Sequence, residues 1–94
     1  MAIKLKYSIN RTHSFKKDFK LIKRQNKDIS KLTNIISRLA EGVKLEEQHH
    51  DHKLKGKYND CYECHIEPDW LLVYRIEGDR LDLIRTGSHS DLFR

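Results

Sequence analysis

The stretch Tyr62-Glu63-Cys64-His65-Ile66-Glu67-Pro68-Asp69-Trp70-Leu71-Leu72-Val73-Tyr74-Arg75 alternates polar and apolar residues, stops at a proline and resumes as a dense apolar run. That pattern predicts two strands joined by a tight turn at Pro68. In a strand over residues 58–66, period-two geometry puts Cys61, Glu63 and His65 on one face, with Tyr58, Tyr62, Cys64 and Ile66 wholly or partly on the other. The first face is expected to be exposed and to do chemistry, the second to pack. Because Pro68 presets one turn position, Asp69 is expected at the entry of the next strand, close to His65 across the hairpin.

Downstream, Arg80 to Thr86 reads as a third strand, with Glu77-Gly78-Asp79 as the second hairpin turn. The middle strand, Trp70 to Ile76, is apolar on both faces, as expected of an interior strand. Trp70 begins it and is assigned to the core. Upstream, Val43 to Lys57 lacks a sustained period and reads as a loop whose unusual feature is its histidines, His49, His50 and His52.

Before that loop, Ile29, Leu32, Ile35, Ile36 and Leu39 recur at helical spacing and Gly42 supplies a stop. Phe15, Phe19 and Ile22 do the same behind an N-cap at Thr12 or Ser14, with Lys16, Lys17, Lys20, Lys23, Arg24 and Lys27 around the remaining surface. Ile3 to Ile9 alternates and reads as a half-buried first strand. The order β-α-α-β-β-β defines an α+β class: two antiparallel helices packed on a small, mainly antiparallel sheet. The tail after Gly87 is expected to form a single turn closing over it.

With 94 residues the chain is expected to be one domain spanning 1–94. Hydrophobic residues make up 37% and charged residues 35%, too many spaced apolar clusters for a disordered chain. Trp70 to Tyr74 is the longest apolar run, far short of the roughly 20 residues a bilayer requires. The start lacks the apolar core of a signal peptide, so a cytoplasmic location and two free thiols are expected. Lys and Arg outnumber Asp and Glu by 19 to 14, for a net charge of +5. Such an excess suits a polyanion or an acidic partner.

Cys61-Tyr62-Glu63-Cys64-His65 matches a haem-attachment pattern in letters. On a strand, however, residues three apart point to opposite faces, so neither haem nor a tetrahedral metal site is expected, and no cofactor. His52, His65, Asp69, Arg85 and His89 lie at one end of the expected sheet. Three imidazoles, a carboxylate and a guanidinium suit cleavage of RNA, which carries its own nucleophile in the 2′-hydroxyl. A base could stack on Phe93, Tyr74 or Trp70.

Three segments, Asp51-His52-Lys53-Leu54-Lys55-Gly56, His65-Ile66-Glu67-Pro68-Asp69-Trp70-Leu71-Leu72-Val73-Tyr74 and Arg85-Thr86-Gly87-Ser88-His89-Ser90-Asp91-Leu92-Phe93, resemble the RelE/ParE toxin superfamily, specifically its YafQ-type branch. The resemblance implies a type II toxin with a cognate antitoxin, entering the A site of the 70S ribosome and cutting messenger RNA there. It implies His52, His65, Asp69 and His89 as the catalytic set, and Arg85, Phe93, Glu63 and Lys53 as substrate contacts. His89 is expected as general acid, Asp69 or His65 as base, and His52 as charge stabiliser. The branch tends to carry a basic residue at Tyr62 and an Asp at Glu63; Glu63, sharing a face with His65, is expected to substitute. Two rivals are a non-catalytic ParE-like inhibitor of DNA gyrase and a basic RNA-binding module. The first has no need of the histidine set, and cleavage itself is the test of the second.

Overall fold

Thr12 and Asp28 show where the chain turns helical. In the computed structural model, which describes residues 5–93, the Thr12 hydroxyl accepts the Phe15 N–H at 3.2 Å and opens helix α1, His13–Arg24. The Asp28 carboxylate accepts the Ser30 N–H at 3.1 Å and opens helix α2, Ile29–Ala40. Side-chain caps of this kind satisfy backbone donors that the first turn leaves unpaired. Gly42, at φ +76, ends α2 by letting the Gly42 and Val43 N–H groups fold back onto the Leu39 and Arg38 carbonyls.

Five strands form one sheet: β1 (Ser8–Arg11), β2 (His52–Lys53), β3 (Tyr62–Glu67), β4 (Trp70–Glu77) and β5 (Arg80–Gly87). Their order is β1-β5-β4-β3-β2, with β1 parallel to β5 and the other pairs antiparallel. Pro68 and Asp69 occupy the β3–β4 turn, and Gly78, at φ +62, leads the β4–β5 turn. A short helix, α3 (His89–Leu92), follows β5 behind an N-cap at Ser88. No helix among the described residues is long and apolar enough to cross a membrane.

Two expected strands begin late. Alternation predicts the first at Ile3–Ile9, but β1 runs Ser8–Arg11, and Ile3 and Lys4 lie outside the described residues. Apolar burial does not place β1, since all four residues are exposed. Backbone pairing places it: the Lys6 and Tyr7 N–H groups are taken by the Ala40 carbonyl at 2.8 and 2.9 Å, and Ser8 then registers with Arg80. Likewise β3 starts at Tyr62, not Tyr58, because Gly56–Tyr58 forms a 3₁₀ turn and the Cys61 N–H closes onto the Tyr58 carbonyl at 2.8 Å.

Strand β4 is covered on both faces, as its composition requires. Trp70, Leu72 and Tyr74 meet Phe15, Ile22, Leu32 and Leu39 in the larger cluster, while Leu71 and Val73 meet Cys61 and Leu92 in a smaller one. The two cysteines therefore sit in different clusters: Cys64 in the first and Cys61 in the second. Burial pushes both thiols up, so neither is a ready thiolate.

Trp70 is fully buried, and its indole N–H donates to the Thr86 hydroxyl at 3.0 Å, which in turn donates to the Leu71 carbonyl at 2.8 Å. Thr86→Val keeps the shape but orphans that N–H. The expected loss is about 1–3 kcal/mol, read as a lower urea midpoint with unchanged slope.

Candidate active site

Pairing of the two-residue strand β2 with β3 sets His52 directly opposite Glu63. Strand parity then puts His65 on the same face as Glu63, two residues on. The Glu63 Oε1 lies 3.7 Å from His52 Nε2 and 3.5 Å from His65 Nε2. Glu63 is only 6% exposed, which corrects the expectation of an open face. The smaller apolar cluster sits on that side of the sheet, so the carboxylate is shielded there, facing two imidazoles.

His89 opens α3 at the end of β5, where the turn at Pro68–Asp69 also arrives. Asp69 Oδ1 accepts both the His89 backbone N–H at 3.0 Å and the ring Nδ1–H at 2.7 Å. Those two bonds, the backbone one foremost, hold the Asp69 carboxyl below the usual carboxylate range. The hairpin was expected to bring Asp69 to His65; instead Asp69 bonds His89. His65 joins from the other side, its ring 5.6 Å from that of His89.

The histidine-rich loop contributes more than His52. The His50 ring lies edge-on to His65 at 5.4 Å, the His52 Nδ1–H donates to the His50 carbonyl at 2.6 Å, and the His49 Nδ1–H donates to the His65 carbonyl at 2.8 Å. Tyr74 anchors the loop by donating its hydroxyl to Asp51 at 2.6 Å, with Tyr62 stacked on its ring. Burial and the Asp51 bond push the Tyr74 phenol up, so it stays a proton donor. Among the described residues, Glu63, His65 and His89 also offer ligand atoms within 4.8 Å of one another.

Four further residues named from the sequence make none of the bonds of this centre. Arg85 is clamped by Asp18 of α1, its Nε and Nη2 donating at 2.6 and 3.1 Å, which raises the guanidinium further and fixes its orientation. Phe93 is 42% exposed and rests edge-on against Tyr58 at 6.0 Å, leaving ring surface for a partner. Lys53 is exposed beside Tyr62 on the edge strand. Trp70 is core, not a stacking platform. Sequence reasoning missed the contributions of His49, His50 and Asp18; local histidine density was the available signal for the first two, and none existed for Asp18.

The chain is similar to known proteins in sequence and fold. Residues 7–94 match the family described as bacterial toxin of type II toxin-antitoxin system, YafQ. The mRNA interferase toxin YafQ of Escherichia coli K12 is 35% identical over 80 residues, covering 84% of this chain and 87% of that protein. The crystal structure of the Escherichia coli DinJ-YafQ toxin-antitoxin complex superposes with a TM-score of 0.88 at 32% identity, covering 96% of this chain and 100% of that one. A copper-bound mutant toxin from Helicobacter pylori superposes with a TM-score of 0.87 at 44% identity, with the same coverage of both chains. The chain belongs to the YafQ family of toxins of type II toxin–antitoxin systems.

Proposed function

We propose that the protein is an endoribonuclease that cuts messenger RNA in the ribosomal A site, using the substrate 2′-hydroxyl as nucleophile. The supporting observation is the Asp69–His89 bond of 2.7 Å with the His65 ring 5.6 Å beyond it. Since Nδ1 of His89 is engaged by Asp69, its Nε2 is the atom that exchanges a proton with substrate. His89 delivers a proton to the departing 5′-oxygen, and His65 takes one from the 2′-hydroxyl. The phosphate closes to a 2′,3′-cyclic ester. Asp69, ionised and bonded twice to His89, orients that ring. Glu63 meets the positive charge that appears on His65, and His52 stands across the same carboxylate.

Arg85, fixed by Asp18, and exposed Lys53 supply positive charge for the backbone, and Phe93 a surface for a base. Lys16, Lys17, Lys20, Lys23 and Arg24 lie exposed on or beside α1 and suit ribosomal RNA. A cognate antitoxin is the expected protein partner, as DinJ is for YafQ in the complex above, and by the same charge the segment it lays on this chain is expected to be acidic.

Translating ribosomes incubated with the protein are expected to yield new messenger 3′ ends within the A-site codon, mapped by primer extension. Absence of new ends, with loss of gyrase supercoiling in a parallel assay, would move the reading to a gyrase inhibitor. The three donors Glu63, His65 and His89, one carboxylate and two imidazoles, also fit a borderline divalent ion such as copper(II), and one of the similar toxins is copper-bound. Copper(II) added at equimolar concentration is expected to stop cleavage by binding the two imidazoles, and one equivalent of EDTA, which takes copper in preference to the ribosome's magnesium, to restore it.

A further inference from the structure

We propose that the cleft between the turn at residues 47–50 and the turn at Glu67–Pro68 seats the nucleobase next to the cut. Gln48, His50 and Glu67 then decide which base is accepted. This rests on the ribonuclease reading above and extends it to substrate choice. The cleft measures about 460 Å³, within the roughly 300–1,000 Å³ typical of small-ligand sites. One of its walls is His65, so a base held there lies beside the phosphate that His65 and His89 act upon.

The remaining walls have the chemistry of base recognition. His50 and Pro68 are flat faces, Ile66 is an apolar floor, and Gln48 carries both a donor and an acceptor. Glu67 gives one oxygen to Lys31 at 2.8 Å, which leaves the other free to accept. A carboxylate acceptor favours a base that presents an exocyclic amino group, as adenine, guanine and cytosine do, over uracil, whose one edge donor, the ring N3–H, sits between two carbonyl oxygens that repel the carboxylate.

The walls are also held in place. His49 ties its turn to β3 through the His65 carbonyl, and His50 adopts a left-handed backbone, φ 46 and ψ 46, that aims its carbonyl at His52. A non-glycine residue there is under strain, and the ring contact of His50 with His65 accompanies it.

The test is single-turnover cleavage on ribosomes programmed with a messenger set placing each of the four bases at each position of the A-site codon. Wild type is compared with His50→Asn, which tolerates the left-handed backbone, Gln48→Ala and Glu67→Gln. At one codon position, and not at the other two, His50→Asn and Gln48→Ala are expected to raise the half-saturating concentration about ten- to hundred-fold. At that position Glu67→Gln is expected to admit uracil. Wild-type cleavage with variant profiles parallel to it across all positions overturns the base site alone. A wild-type protein that leaves every messenger intact overturns the base site together with the ribonuclease reading.

Discussion

Replacing His89 by alanine is expected to lower the single-turnover rate of messenger cleavage by about 10²–10⁴, the range of one positioned acid–base group. Stability is expected to move by less than about 0.5 kcal/mol, since His89 is an exposed residue at the start of a four-residue helix. The ring's contacts are with Asp69 and the His65 ring. Its loss removes one of the two donors on Asp69 and leaves the other, the backbone N–H, in place. Substrate affinity should change little, so the loss falls on kcat and not KM. Asp69→Asn separates the two roles: its amide can still accept from the Nδ1–H, but no negative charge faces the imidazolium. A smaller loss with a shifted pH profile is expected there. Equal full activity in both variants would remove the dyad from the mechanism.

That dyad was only half legible in the sequence, for a geometric reason. Pro68 correctly marks the turn, and parity correctly pairs Glu63 with His65, because both depend on neighbours along the chain. The partner of Asp69 is twenty residues away in sequence, and its choice depends on where α3 leaves β5, which periodicity does not encode. The same limit hides Asp18, whose clamp on Arg85 spans 67 residues and whose position in a lysine-rich helix reads as incidental. Strand β2 was invisible for another reason. Two exposed polar residues carry no alternation, and only pairing with Tyr62 and Glu63 makes His52–Lys53 a strand. The two long helices were legible because apolar spacing is a local signal that the core rewards, and for the first the cap at Thr12 was legible too.

Asp82→Asn is expected to produce the largest change in stability and to reshape its acid dependence. Asp82 is fully buried on β5, yet it is ionised: Arg80 at 2.7 Å, Asn10 at 2.9 Å and Arg75 at 3.0 Å all donate to it. These bonds, that of Arg80 foremost, hold its carboxyl well below the usual carboxylate range against the opposing effect of burial. A depressed folded value means that the unfolded chain takes up this proton first. The stabilisation is therefore whole above about pH 4, where an unfolded Asp titrates, and drains away as pH falls further towards the folded value. Asparagine keeps the shape but removes the nearest counter-charge from two guanidinium groups, leaving them Glu77 at 3.7 and 3.6 Å. Breaking a buried pair costs about 3–5 kcal/mol, but Arg75 and Arg80 are 36% and 46% exposed and can turn to water. About 2–4 kcal/mol at pH 7 is the expected loss after that relief. Urea unfolding at pH 7 and at pH 3 measures it: the gap between wild type and variant should narrow at the lower pH, because acid removes from wild type what the substitution has already removed. Curves that stay parallel would show that Asp82 is not the titrating group. Because Asn10 is one of the three residues that donate to Asp82, the variant should also loosen β1 from β5, seen as faster amide exchange at Ser8 to Arg11 while the β3–β4 hairpin, His65 included, remains protected.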